Sequence, residues 1–113
     1  METLTPAVSD MLITVKSREI QRGMFAEMRN DRAAARVHFL ASAYLELVLA
    51  EDYAIAGLDE LVLRSRLSAA SCFWRGGEMK LARELFREIT RDVPAQKRQV
   101  QQLVKELKRS SRG

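Results

Sequence analysis

The chain of 113 residues is poor in the residues that make disulfides, metal sites and tight turns. It has one cysteine, one histidine, two prolines and five glycines, and aromatic residues make up 6%. The single cysteine cannot form an internal disulfide, and one histidine with one cysteine make no recognisable zinc-ligand set, so no metal or other cofactor is expected. No alternating run of β-branched residues is present. These absences favour an all-α chain in a reducing compartment.

The sequence also lacks the features of a leader or a membrane span. Its N-terminus has no basic region that leads into an apolar stretch, so no secretory signal is expected. The most apolar segment, residues 33–50, is interrupted by Arg36, His38, Ser42 and Glu46. A buried helix is therefore expected there, without membrane insertion. Together these features predict a cytoplasmic protein.

The charge is unevenly distributed along the chain. Of the net charge of +4, residues 93–113 contribute six Lys or Arg side chains against Glu106 alone. This basic segment suggests an alternative function, a nucleic-acid-associated helical protein that uses its C-terminal helix. No aromatic residue lies among the basic ones, which argues against base stacking. A capping helix with a cationic outer face is the favoured interpretation.

Turn signals divide residues 1–113, a single domain, into about five helices. A first helical hairpin is predicted over residues 6–56, a second over 57–93 and a capping helix over 94–109, with a frayed tail at 110–113. The boundaries come from residues that start, cap or end helices, namely Thr5-Pro6, Asn30-Asp31, Gly57, Gly76-Gly77 and Pro94.

An internal repeat relates the two hairpins. Ala82, Phe86 and Ile89 fall on one face of the fourth helix, where the small alanine allows a neighbouring helix to approach closely. Shifting the sequence by 47 residues aligns three positions of the second helix with them, and small residues precede both turns. The aligned residues of the first half are Ala35, Phe39 and Ser42, and the small residues are Gly23 and Ala70.

Together with Gly77 and Pro94, the repeat resembles the tetratricopeptide (TPR) family over roughly residues 14–94. The resemblance implies antiparallel helical hairpins stacked as a short TPR-like α-solenoid with a C-terminal capping helix. It implies a non-catalytic protein–protein interaction function, as an adaptor or a chaperone-like subunit. The 47-residue offset exceeds the family's period of 34 residues, so a lengthened second helix is expected. Because two units are few for stability, the remainder is expected to come either from the capping helix or from a second copy of the chain in a homodimer.

A polar stripe on the third helix is the candidate binding site. Arg64, Ser68, Ser71 and Arg75 follow one another at spacings of four, three and four residues, between two apolar stripes. In the resembled family the first helix of each hairpin lines the ligand-holding face, and the corresponding polar residues of the first helix are Ser17 and Gln21. The hypothesis is that both arginines pair with acidic groups of a partner while the other side chains form hydrogen bonds. The alternative is a solvated helix face.

Enzymatic functions find little support, and none is expected. His38, Ser42 and Glu46 follow at intervals of four residues, which points their side chains roughly parallel and does not converge them on a substrate. A packing stripe or a buried hydrogen bond is the expected role. Arg32 and His38 resemble the arginine–histidine spacing of the HEPN-type ribonucleases, a third alternative.

Overall fold

The computed structural model describes residues 2–111, and the all-α prediction is confirmed. Five α-helices follow one another, and the residues described contain no strand. A single turn of 3₁₀ helix, Pro94–Gln96, precedes the last of them. The helices are α1 (Pro6–Met28), α2 (Arg32–Ile55), α3 (Asp59–Arg75), α4 (Met79–Asp92) and α5 (Lys97–Ser111).

The three turns that join α1 to α4 have the same geometry. Asn30, Gly57 and Gly77 adopt φ values of 59°, 76° and 82°, the left-handed region that glycine and asparagine enter at least cost. In each turn the next backbone N–H donates to a carbonyl five residues earlier, as from Glu78 to Phe73 at 2.8 Å. This Schellman-type pattern closes each helix and reverses the chain, so consecutive helices pack as antiparallel neighbours.

The positions related by the 47-residue offset are buried in both halves. At Gly23 an added Cβ would lie 2.9 Å from the ring of Phe39, so the absent side chain is what admits the ring between α1 and α2. Small residues in this way let the helices approach, and the phenylalanines fill the space beyond. The buried pairs are Gly23 and Ala70, Ala35 and Ala82, Phe39 and Phe86, and Ser42 and Ile89.

Helix α5 packs against α3 and α4, and its ends differ from the prediction. Its apolar stripe includes the buried Val100 and Leu107. The regular helix begins at Lys97, since the 3₁₀ turn occupies the residues after Val93. Ser110 and Ser111, the start of the predicted frayed tail, continue the helix, and residues 112–113 lie outside the described part. The Trp74 indole N–H donates to the Ser111 hydroxyl at 3.2 Å and so fixes this end.

Helix α2 is the longest of the described helices and the most apolar. By length and hydropathy alone it could cross a membrane. Of its most apolar stretch of 18 residues, 39% is buried inside the domain. A core helix of a soluble protein passes the same test. In this structure α1 and α3 both pack along α2, which explains much of its apolar character.

Candidate functional site

A row of polar contacts, which we call the polar seam, joins α1 to α2. It contains His38, Ser42 and Glu46, the three polar residues spaced four apart on α2. His38 Nδ1 lies 2.6 Å from a Glu19 carboxylate oxygen, and the Ser42 hydroxyl donates to the Lys16 carbonyl at 3.3 Å. The Lys16 ammonium donates to Glu46 Oε2 at 3.3 Å. Each member of the stripe therefore binds a different group on α1. The three side chains connect the two helices, and no hydrogen bond joins them to one another within residues 2–111.

Glu46 is the unusual member of this seam, because its carboxylate is buried without full hydrogen bonding. The residue is 1% exposed. The Lys16 Nζ lies 3.3 Å from Oε1 as well as from Oε2, yet the geometry makes a hydrogen bond to Oε2 only, and within residues 2–111 Oε1 accepts none. A buried acceptor without a donor costs about 1–3 kcal/mol.

The Glu46 carboxylate lies at the floor of a cavity of about 370 Å³ between α1 and α3, which we call the α1–α3 groove. Helix α1 and helix α3 form its walls, and α2 contributes Glu46 and Tyr53 beneath them. Arg64 is exposed on the α3 wall and has no ion-pair partner within the described residues. The residues that line the groove are Ile13, Lys16, Glu46, Tyr53, Leu61, Arg64, Ser65 and Ser68.

The structure brings together some of the predicted site residues and separates others. Arg64 and Ser68 line the groove. The Ser71 hydroxyl donates to the Leu67 carbonyl of its own helix at 3.0 Å. Ser17 and Gln21 are exposed on α1 and do not line the groove. Of the predicted polar stripe on α3, only the first two residues, Arg64 and Ser68, therefore line the groove.

Arg75 is already engaged within the domain. Its guanidinium forms an ion pair with Glu27 of α1 and lies 4.2 Å from the centroid of the Phe39 ring. It also lines a separate cavity of about 700 Å³ with Trp74 and residues of α5. An acidic partner would have to displace Glu27 to reach Arg75. Arg64 is therefore the arginine that remains available for a partner.

Two residues that build the groove, Lys16 and Glu46, were not among the predicted binding residues. A glutamate inside the most apolar segment is the signal that could have identified the floor, since carboxylates are rarely buried without a partner. Nothing in the local pattern of α1 indicates that Lys16 reaches this glutamate, 30 residues away.

Cys72 is a buried packing residue. It is 5% exposed, and its thiol lies 3.8 Å from the Ser42 hydroxyl. Burial raises the pKa of this thiol. Because the thiolate is the reactive form, a nucleophilic role is disfavoured, in agreement with the sequence-based interpretation.

The outer surface of α2, on the side of the helix away from Glu46, is apolar and exposed. Val37, Tyr44, Val48 and Ile55 expose 64%, 55%, 45% and 40% of their surfaces. We call these four residues the outer α2 face. An exposed apolar stripe of this length on one helix is a feature of interaction surfaces.

Comparison with known proteins gives no relative for this chain: no family model, no curated protein and no solved structure matches it.

Proposed function

We propose that the protein is a non-catalytic, TPR-like interaction module, an adaptor or chaperone-like subunit that holds a peptide segment of a partner protein in the α1–α3 groove. The observation that carries this proposal is the buried Glu46 carboxylate, which lines a polar groove and has one oxygen, Oε1, that accepts no hydrogen bond within residues 2–111. The exposed Arg64 guanidinium lies on the same groove's wall. A peptide supplies both the N–H donors and the carboxylates that these two groups bind.

The arrangement of the helices supports a TPR-like interpretation. The walls of the groove come from the first helices of the two hairpins, which is where the resembled family holds its ligands. Phe39 and Phe86, which the 47-residue offset in the sequence relates, are both buried. A cytoplasmic location remains part of the proposal, since the only cysteine is a buried free thiol.

Reversing the charge of Arg64 tests the proposed function. Peptides are first selected from a random display library on the full-length wild-type chain, and affinities are then measured by fluorescence anisotropy. We expect Arg64→Glu to weaken binding about tenfold or more, because a charge-assisted hydrogen bond becomes a repulsion. The matched control is Arg87→Glu, an exposed arginine on α4 that lies outside the groove.

Equal affinities for Arg64→Glu and the wild type would contradict a role for the groove. A library that yields no binding peptide at all would contradict peptide binding itself. Circular dichroism on both variants establishes that each retains the helical fold.

The alternative function is binding of nucleic acid through α5. Five cationic side chains of this helix are exposed and form no ion pair within residues 2–111, which gives phosphates an open surface: Lys97, Arg98, Lys105, Lys108 and Arg109. A gel-shift titration would show binding that weakens steeply as salt rises. The groove is preferred because it holds a buried carboxylate oxygen that accepts no hydrogen bond within residues 2–111, whereas solvated surface cations require no partner.

A further inference from the structure

We infer that the α1–α3 groove selects a segment that places a neutral hydrogen-bond donor on Glu46 and a carboxylate beside Arg64. This inference rests on the proposed function, because it specifies which peptides the same groove binds. It follows from three properties of the lining: the open acceptor atom, the position of Lys16 and the balance of charge.

The open acceptor fixes the first requirement, a donor. An ionised carboxylate accepts hydrogen bonds and donates none. Glu46 lines the groove from α2, and its Oε1 atom is buried and accepts no hydrogen bond in the described part of the chain. A ligand that brings an N–H or O–H group to this atom removes the cost of a buried, unsatisfied acceptor.

The position of Lys16 fixes the second requirement, that the donor be neutral. Its ammonium lies 3.3 Å from each Glu46 oxygen and already balances the carboxylate charge. A second cation on Glu46 would also lie close to Lys16, so its attraction to the carboxylate would be offset by repulsion from the ammonium. An amide or hydroxyl donor avoids this repulsion. Asparagine, glutamine, serine, threonine and the peptide backbone all supply one.

The third requirement, a carboxylate on the ligand, follows from the excess positive charge of the groove lining. The groove lining holds two cations, Lys16 and Arg64, against one carboxylate. Only Arg64 among them lacks an acidic partner within residues 2–111. A carboxylate from the ligand completes the balance, and the hydroxyls of Ser65 and Ser68 on the same wall can donate to it. The ligand class is therefore an acidic peptide with a neutral polar residue beside the acid.

Substitutions in the peptide test the inference without altering the protein. We expect the peptides selected on the wild-type chain to be enriched in Asp or Glu close to Asn, Gln, Ser or Thr. Changing the acid to its amide, or the neutral donor to alanine, should each weaken binding about tenfold. Amidation of the peptide C-terminus distinguishes a side-chain carboxylate, for which affinity is unchanged, from a terminal one, for which it falls.

The Glu46→Gln variant tests the acceptor from the side of the protein. We expect it to bind the selected peptides about tenfold more weakly, because an N–H group can replace the carboxylate oxygen that accepted the bond. The control is Glu60→Gln, an exposed residue of α3, which should bind as the wild type does.

Three results would overturn the inference while peptide binding stands. Selected peptides could lack acids, they could carry Lys or Arg at the donor position, or Glu46→Gln could bind them with unchanged affinity. If no peptide is selected, the proposed function fails as well. Should Glu46→Gln not fold, the peptide substitutions alone decide.

A separate observation concerns the outer α2 face, for which we propose a second copy of the chain as the occupant. The four exposed apolar residues are arranged symmetrically about position 46. Val37 lies nine residues before position 46 and Ile55 nine residues after it. Tyr44 lies two residues before it and Val48 two residues after it. Two copies of α2 packed antiparallel about a two-fold axis would therefore match Val37 with Ile55 of the partner subunit and Tyr44 with Val48 of the partner subunit. Such self-complementarity is what a two-fold interface requires.

Sedimentation equilibrium of the full chain tests this dimer. Because one helix face is a small interface, we expect a dissociation constant of about 10–100 μM. Val48→Glu should weaken it about tenfold or more, since a charge would be buried at the centre. The control is Leu81→Glu, a substitution at another exposed apolar residue that lies on α4. A wild-type chain that is monomeric up to about 1 mM, or a Val48→Glu variant that dimerises like the wild type, would overturn it.

Discussion

Replacing Phe39 with alanine is expected to lower the free energy of unfolding by about 3–5 kcal/mol, a large part of the total stability of a small domain. Phe39 is fully buried, and its ring lies against the backbone at Gly23 on α1. The Arg75 guanidinium covers the same ring at 4.2 Å. Removing the ring therefore leaves a cavity between α1 and α2 and also removes a cation–π contact.

Urea unfolding followed by the fluorescence of the single tryptophan, the buried Trp74, measures this loss. Phe86→Ala, at the position related by the repeat, should cost a similar amount because this residue is 4% exposed. The control is Phe25→Ala, since Phe25 is 58% exposed and should cost less than about 1 kcal/mol. If Phe39→Ala were as mild as Phe25→Ala, the packing described between α1 and α2 would be wrong.

The second large effect is expected at Lys16. Changing it to methionine should destabilise the domain by about 3 kcal/mol, because Glu46 would remain buried with no opposing charge. The ammonium is the one cation within 4 Å of this carboxylate among the described residues. The side chain of Glu46 is 2% exposed, so its unpaired charge would remain largely desolvated.

Changing both members of the pair distinguishes the buried charge from simple packing. The double variant Lys16→Met, Glu46→Leu should recover most of the stability, since well-packed apolar residues often replace a buried ion pair at no net cost. Lys80→Met, an exposed lysine at the start of α4, is the control and should change stability by less than about 0.5 kcal/mol. A single variant as stable as the wild type, or a double variant as unstable as the single one, would contradict the role given to this pair.

The sequence predicted the helices and turns well because their signals are local. Asn30, Gly57 and Gly77 each lie at a turn where the backbone must enter the left-handed region, and few residues do so cheaply. The alignment of Phe39 with Phe86 predicted two buried aromatic positions, and both are buried. These features depend on neighbours within a few residues, so a single sequence contains them.

The groove was predicted in part, because its composition depends on which residues meet between helices. Arg64 and Ser68 of the predicted polar stripe on α3 line the groove, but the floor at Glu46 depends on how α2 is rotated beneath α1 and α3. The pairing of Arg75 with Glu27 joins residues 48 apart, and the local pattern of neither helix specifies it. Ser111 looked like part of a polar tail for the same reason, since its contact with Trp74 spans 37 residues.

The most direct test of the proposed groove is a map of amide chemical-shift changes on the ¹⁵N-labelled chain as a selected peptide is added. If the groove holds the peptide, the changes should centre on Lys16, Glu46, Arg64 and Ser68, and they should disappear in Arg64→Glu at the same peptide concentration. Changes that centre instead on α5 or on the outer α2 face, and that persist in Arg64→Glu, would contradict peptide binding between α1 and α3.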